Sequence, residues 1–594
     1  MDVIIIHAVR TFMSFDEESL TKILLKIDFK NAFNSIERDE MLKQIKEHAP
    51  QLFPFLWQCY SSTSHLFFGN DTIPSLIGCQ QGDPCGPLVF CLAIHSIIKS
   101  VTTDLNAWYL DDGTLGGQKE KVFESFKMII NECVRIGLEV NPSKCELHFC
   151  NDIDLDVWNE FNEIAPGIRI VQENLTLLGA PLTLTSCKTI LSDMLETLIV
   201  TTDRLKNIKS HVAYFLLKNC LAIPKLSYFL RTSPSWKFPE IISQMDSCLK
   251  QSLEEIINVR IADSKWNLCS LPLYEGGLGI RKIEHIGLPA FLSSVNSTEQ
   301  LVNSILSSHD SDKFTVCFYQ DAIEEWSNVH DILSEQPCIQ KHWDRININS
   351  IISTFDFTTK EDRARYFASK QKESNGWLNV LPSKTLGTIL DNNTFRISVA
   401  LRYGFDICAP HQCICGKALV QSDGIHGLAC KNSRCRWARH AEFNDTIKRS
   451  LASARIPARL EPQGLSNENN DHPDGMTLIP WANGKILSWD ATCSDTLAPS
   501  YLDISSTGYG KVAEKAAVRK RWKYREIIER ENHIFVPFAV ETLGPICKDG
   551  LNFITAIAKK IKDVSGEDRS RIFNTTDKYS VAETQCRVCD GHIP

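Results

Sequence analysis

Between Ala107 and Gly117 the chain reads AWYLDDGTLGG, and this segment constrains the fold more than any other. One β-prone run enters Asp-Asp-Gly and another leaves it, which is the pattern of a tight hairpin. The turn therefore carries two adjacent carboxylates, Asp111 and Asp112. Taken alone, such a pair is an ordinary solvated turn. Its surroundings give it more meaning. Thr21 to Asp28, TKILLKID, reads as a strand that also ends on an aspartate, with helical patterning from about Ser35. If Asp28 ends a strand beside the hairpin, three carboxylates share one site.

Hard oxygen ligands of this kind suit Mg²⁺ (or Mn²⁺), which also takes phosphate oxygens. Two such ions can activate an attacking 3′-hydroxyl and stabilise a leaving pyrophosphate. Between the aspartate segments lies GCQQGDPCGPLVF, residues 78–90, whose glycines and prolines let backbone approach a ligand before a helix begins near Leu88. GLEVNPSKCE (137–146) follows the hairpin and offers Lys144, and LLGAPL (177–182) comes next.

In order and spacing, DFKNAF, QQGDPCGPLVF, YLDDG, GLEVNPSKCE and LLGAPL resemble reverse-transcriptase motifs A to E, spread over about 155 residues. The resemblance implies metal binding by Asp28, Asp111 and Asp112. It implies that Phe33 excludes a ribonucleotide 2′-hydroxyl, that Gln81 and Gly82 contact template and incoming nucleotide, and that Tyr109 lines the primer side. Lys144 becomes an acid near the pyrophosphate. Many members have serine where Gly86 stands. Only 27 residues precede Asp28. HAVRTF (7–12) resembles the last helix before the palm, so most of the fingers are expected to be missing.

Composition fits this reading without demanding it. The 594 residues are 43% apolar and 23% charged, ordinary for globular protein of several domains. No secretory signal opens the chain, and Leu88 to Ile98 is too short to span a bilayer. An intracellular protein with access to the nucleus is expected, with no membrane partner. The 22 cysteines then read mostly as buried thiols. A net charge of −8 disfavours nucleic acid in bulk, but basic residues cluster at 431–439 and 511–525.

Residues 186–300 read as helical, where the family has its thumb, and 301–405 as a helical connector with a serine-rich linker at 304–311. PLYEGGLGIR (272–281) resembles a segment frequent in non-LTR retrotransposon proteins and reads as a loop between helical layers. The connector tryptophans read as core. Cys413-x-Cys415 followed by His426-x₃-Cys430 has the donor set of a tetrahedral, structural Zn²⁺ site. It resembles the Cys-Cys-His-Cys knuckle of retrotransposon proteins. His440 is a substitute ligand if Cys415 or His426 is misassigned. Cys586-x₂-Cys589 with His592 is a weaker cluster.

Further on, Glu461 is read as ending a helix over about 442–460. His472-Pro473-Asp474-Gly475 precedes a strand at 476–479, an Asn483-Gly484 turn, and a strand at 485–489 ending at Asp490. Regular pairing across that turn would offset the two aspartates by about three residues. The segment resembles the PD-(D/E)XK restriction-like nuclease core in its non-LTR form. The resemblance implies metal binding by Asp474 and Asp490, with Glu461 and Glu541 as further acids. Thr492 stands where the family lysine usually lies. The lysine is then expected on the next helix, as Lys515, Lys520 or Lys523.

The fold expected is thus multidomain α+β: a right-hand polymerase palm (1–185), helical thumb (186–300) and connector (301–405), zinc knuckle (406–440), restriction-endonuclease-like α/β domain (441–565) and tail (566–594). The function implied is RNA-directed DNA polymerisation, primed by a DNA nick, acting on RNA template, DNA target and primer, and dNTPs. The rival reading is a non-catalytic or host-adopted nucleic-acid-binding remnant.

Overall fold

A computed structural model describes residues 2–15, 22–306, 314–430, 432, 435–463, 465, 472–531 and 533–566. The Cys586, Cys589 and His592 cluster lies outside them. So does most of the serine-rich linker, whose first three residues instead end the helix Ile283–Leu306. The chain forms two compact units, one of Met1–Met194, Ser227–Pro239 and Ile286–Ile346, the other of Leu195–Leu226, Glu240–His285 and Asn347–Pro594.

In the first unit the strands are β1 (Lys22–Ile27), β2 (Ser64–Phe68), β3 (Asp71–Ser75), β4 (Leu105–Tyr109), β5 (Asp112–Gln118), β6 (Glu146–Phe149) and β7 (Arg169–Ile170). Five of them make a sheet in the order β4-β5-β1-β6-β7, while β2 and β3 form a separate hairpin. Alternation along β1 buries both faces. Ile23, Leu25 and Ile27 join a core with Met41, Val89, Phe90, Phe126 and Ile129. Leu24, with Leu105 and Ala107, meets the helix Asp2–Met13 through Ile6, Val9 and Phe12. That helix comes close because β5 has glycine beneath it: a Cβ at Gly116 would fall 2.6 Å from the Phe12 ring. A two-residue pair, β8 (Thr176–Leu177) and β9 (Ala180–Pro181), turns at Leu178 and Gly179.

The second unit has helical layers followed by a small hairpin, β10 (His411–Gln412) and β11 (Leu419–Val420), and then an α/β body. Its sheet runs β12 (Ala458–Leu460), β13 (Gly475–Thr477), β14 (Leu487–Ser494), β15 (Ile534–Glu541) in that order. The β14–β15 pair is parallel and the others antiparallel. Leu487, Trp489 and Ala491 face a core with Phe443, Ile447, Leu451, Ile554 and Ile557. On the side of Ala539, the helix Lys511–Lys523 packs its alanines, Ala513, Ala516 and Ala517.

Two expectations are corrected here. The helix before Glu461 spans Cys435–Ser453 and does not reach 460. Arg455 turns to φ 56 and Pro457 has no N–H to donate, so the chain leaves the helix and Ala458–Leu460 pairs as β12. Glu461 therefore follows a strand. The second strand of the pair also does not stop at Asp490, which lies in the middle of β14 because β15 pairs along its whole length.

Candidate functional site

The sheet register brings the first three aspartates together. β1 pairs β5 with Ile27 opposite Gly113, and β4 pairs β5 with Tyr109 opposite Asp112. One step further, Asp28 lies across from Asp112, and the period of two puts both on the face of Lys26 and Tyr109. Leu110, at φ 58, makes the hairpin turn that sets Asp111 beside them. The Asp28 backbone is held from the other side, where its carbonyl accepts from Asn141 N–H at 2.8 Å.

Oδ1 of Asp28 is buried and accepts no hydrogen bond, and Lys144 Nζ approaches it only to 3.8 Å. Burial raises Asp111, with the Asp28 charge adding to this and its own N–H and Lys144 opposing. Burial also raises Asp112, helped by the charges of Asp111 and Asp28. Three carboxylates crowded this way, one with an orphaned oxygen, fit divalent cations.

The 78–90 segment is built around Tyr60 and Asp83. The Tyr60 hydroxyl donates to Asp83 Oδ2 and accepts from Gln80 N–H at 3.2 Å, while Asp83 Oδ1 accepts from Cys85 N–H at 2.8 Å. This pins a loop in which Gln81 and Gly82 are exposed and Gly82 sits at φ 88. Phe33 stacks on Phe90 of the following helix at 4.6 Å between ring centres. The sequence reading did not single out Tyr60, which carries no motif signal of its own.

In the second unit, ligand atoms of Cys413, Cys415, His426 and Cys430 all lie within 4.8 Å of one another. Gly416 and Gly424, at φ 68 and 66, turn the chain between them. Sγ of Cys413 and Cys430 are 3.7 Å apart, and Cys415 Sγ is 3.5 Å from His426 Nε2. The Lys417 N–H, then Cys413, hold Cys415 below the usual thiol range, while burial pushes Cys413 up. Soft donors converging on one point fit a tetrahedral Zn²⁺.

His440 is not part of this cluster. Its Nε2 lies 2.9 Å from Oδ2 of Asp474. That oxygen also accepts from Ala491 N–H at 2.7 Å. Asp474 and Asp490 stand directly opposite rather than three residues apart. Gly475 pairs with Trp489, whereas at the turn Ala482 bridges Lys485. Three extra residues are thus absorbed between Thr477 and Ala482, where the Thr477 hydroxyl accepts from Leu487 N–H at 3.1 Å. Gly475 is required, since a Cβ there would lie 2.2 Å from the Trp489 ring.

Asp490 faces the helix Lys511–Lys523, and Lys520 Nζ is 2.5 Å from its Oδ1. The contact is an ion pair outside hydrogen-bond geometry. Lys515 and Lys523 lie instead near the rings of Tyr501 and Tyr524. Burial, then the Asp474 charge, raise Asp490 against the pull of Lys520. Burial would raise Asp474 too, but His440 holds it below its usual range. Two facing carboxylates with an adjacent lysine fit a divalent cation.

The remaining acids are placed elsewhere. Glu461 is exposed and pairs with His472 Nδ1 at 3.0 Å. Glu541 is buried four residues along β15 from the partner of Asp490, and its Oε1 accepts from the N–H groups of Val512 and Ala513 at 3.1 Å each. It caps a helix N-terminus, which corrects its reading as a further acid of the site.

Residues 6–182 match the family model described as reverse transcriptase (RNA-dependent DNA polymerase). Over almost its whole length the chain is also similar to a retrotransposon protein. The retrotransposable element SLACS 132 kDa protein of Trypanosoma brucei gambiense is 23% identical over 614 aligned positions, covering 97% of this chain and 46% of its own length. The chain therefore spans less than half the length of that relative.

Proposed function

We propose that the chain is the polymerase and endonuclease portion of a retrotransposon protein, acting as an RNA-directed DNA polymerase. The observation that carries this is the convergence of Asp28, Asp111 and Asp112 at adjoining strand ends, with an unpartnered buried oxygen on Asp28. Divalent cations held there would activate the 3′-hydroxyl and offset charge on the leaving pyrophosphate. Lys144, largely exposed beside Asp28, is placed to donate a proton to that leaving group. Phe33 is the barrier to a 2′-hydroxyl, Gln81 and Gly82 meet template and dNTP, and Tyr109 faces the primer. The test is extension of a primed RNA template with dNTPs and Mg²⁺ beside an Asp111→Asn control. Extension that the control does not reduce would sink the polymerase, and no extension at all would favour the non-catalytic remnant.

A second reading, nicking of a DNA target to supply the primer, is favoured by the facing pair Asp474 and Asp490 with Lys520. A cation on that pair would activate a water against the phosphodiester. Lys520 would steady the negative charge that builds on the phosphate oxygens, and His440 would orient Asp474. Nicking of plasmid that persists in Asp474→Ala would remove this reading. Glu461 has at most a place on the rim. The knuckle ligands Cys413, Cys415, His426 and Cys430 are proposed to hold one structural Zn²⁺, to be checked as zinc content lost in Cys415→Ser. The thumb, connector and nuclease boundaries given above, and an intracellular site of action with nuclear access, belong to the same proposal. Among the described residues, no helix is long and apolar enough to cross a membrane.

A further inference from the structure

The glycine-rich segment at 272–281 takes no part in either candidate site, yet it lines an open cavity of about 540 Å³ in the second unit. The other walls come from residues 218–224 and 370–379. Lys218, Arg281, Lys370 and Lys372 all line the cavity, and among its described lining residues there is no carboxylate. Glu275 stands behind Lys370, 2.6 Å from its Nζ, and pairs with it. Tyr274, on the same wall, is 54% exposed.

Lys218 is the informative member. It lies in a widened helical turn, Leu217–Leu221, where Ala222 N–H reaches back five residues to the Leu217 carbonyl. Its Nζ donates to the Leu378 carbonyl at 2.7 Å and to Asn379 Oδ1 at 3.0 Å, and it sits 5.4 Å over the Tyr214 ring. Those described partners are all uncharged. Burial pushes Lys218 down to about 8, the mark of a cation held without a counter-ion. Gly279 makes room for it: at φ +73, a Cβ there would come within 3.1 Å of the Lys218 stem. Gly279 thus shapes a wall around a cation whose described partners carry no negative charge.

We propose that this cavity binds the sugar–phosphate backbone of a nucleic-acid strand, with Tyr274 at its mouth stacking on a base. The inference rests on the reading of the chain as a nucleic-acid enzyme. Cations from three separate segments suit a run of phosphates, and an exposed ring serves any base because every base has a π face.

The test is titration of the full chain into a fluorescent single-stranded RNA over a series of salt concentrations. Lys372→Glu, at an exposed position, should weaken binding about tenfold at low salt and lower the slope of log K against log salt by about one. Tyr274→Ala should weaken binding about fivefold or more with the slope unchanged. Lys127→Glu, the same charge change on an outer helix of the first unit, should bind as wild type. Lys218→Met adds a direct test if its circular dichroism matches wild type, and Lys372→Glu decides the matter if it does not. If wild type binds RNA and both Lys372→Glu and Tyr274→Ala bind equally well, the cavity assignment is overturned while the polymerase reading stands. If wild type binds no RNA even at low salt, both fall together. Inorganic phosphate that displaces RNA far better than chloride of equal ionic strength would reassign the cavity to a free phosphate and overturn the backbone proposal.

Discussion

The palm aspartates and the Asp474/Asp490 pair invite comparison, because both gather carboxylates and do so by different means. In the palm the acids sit where strands end, the charges crowd one another, and the nearest described cation, Lys144, stays 3.8 Å away. In the second unit the acids sit inside a strand pair, and basic side chains already touch them, His440 at 2.9 Å and Lys520 at 2.5 Å. The palm is thus left with a charge that added cations would balance. The second site is partly neutralised by its own side chains. A metal there must share carboxylate oxygens with a histidine and a lysine, which orient the acids at the cost of weaker attraction.

Predictions that break or sharpen this contrast begin with Asp111→Asn. Losing a ligand worth several kcal/mol of charge stabilisation should reduce primer extension on the order of a thousandfold, read in single-turnover assays. Next is the choice among lysines. Lys520→Ala should slow plasmid nicking on the order of a hundredfold, whereas Lys515→Ala should leave it unchanged. Equal effects from the two would show that the ion pair with Asp490 has no part in nicking. His440→Ala should weaken the apparent Mg²⁺ affinity for nicking about tenfold and leave that for primer extension alone.

Stability measurements separate the remaining acids. Glu541→Ala strips a cap from two buried N–H groups and should cost about 1–3 kcal/mol in denaturant unfolding. Glu461→Ala, on the surface, should stay within about 0.5 kcal/mol.

Two further predictions concern pH. His7 is buried against Ser294, 3.0 Å from its hydroxyl, and burial, then Arg10, lower it from 6.5 to about 3. Between those values the unfolded chain binds the proton and the folded one does not. The first unit therefore loses stability as pH falls from 6.5 toward 3, and His7→Phe should flatten that loss. Asp246 in the second unit behaves oppositely. Burial raises it from 3.8 to about 7, against hydrogen bonds from the N–H groups of Ile283 and Glu284. There the folded chain keeps the proton, so its contribution declines as pH rises from 3.8 to 7, and Asp246→Asn should remove the decline. Melting curves at several pH values test both signs.

Much of this was legible in the chain itself, and the reason lies in sequence distance. The Asp111-Asp112 hairpin, the strand ending at Asp28, the helix over HAVRTF and the cluster of Cys413, Cys415, His426 and Cys430 are set by residues close together, where turn chemistry and side-chain alternation act. The four clustered residues span only Cys413 to Cys430, and Gly416 and Gly424 between them take left-handed conformations. The region around Asp474 and Asp490 was less legible. His440 reads in sequence only as a substitute zinc ligand, but Asn444 one helical turn on accepts from Trp489 Nε1 at 3.0 Å and ties that helix to β14 instead.

By itself, then, the sequence determined which carboxylates, thiols and cations exist and which local turns present them. Only the tertiary structure decided how they meet across the chain. The three residues absorbed before Ala482 put Asp474 opposite Asp490, and no two-residue turn rule could anticipate that slip. The alanine face of the helix Lys511–Lys523 packs against the sheet and so chooses Lys520 over its neighbours. Register slips and helix rotation are settled by packing between distant segments, where a shift of one residue exchanges the buried face for the exposed one.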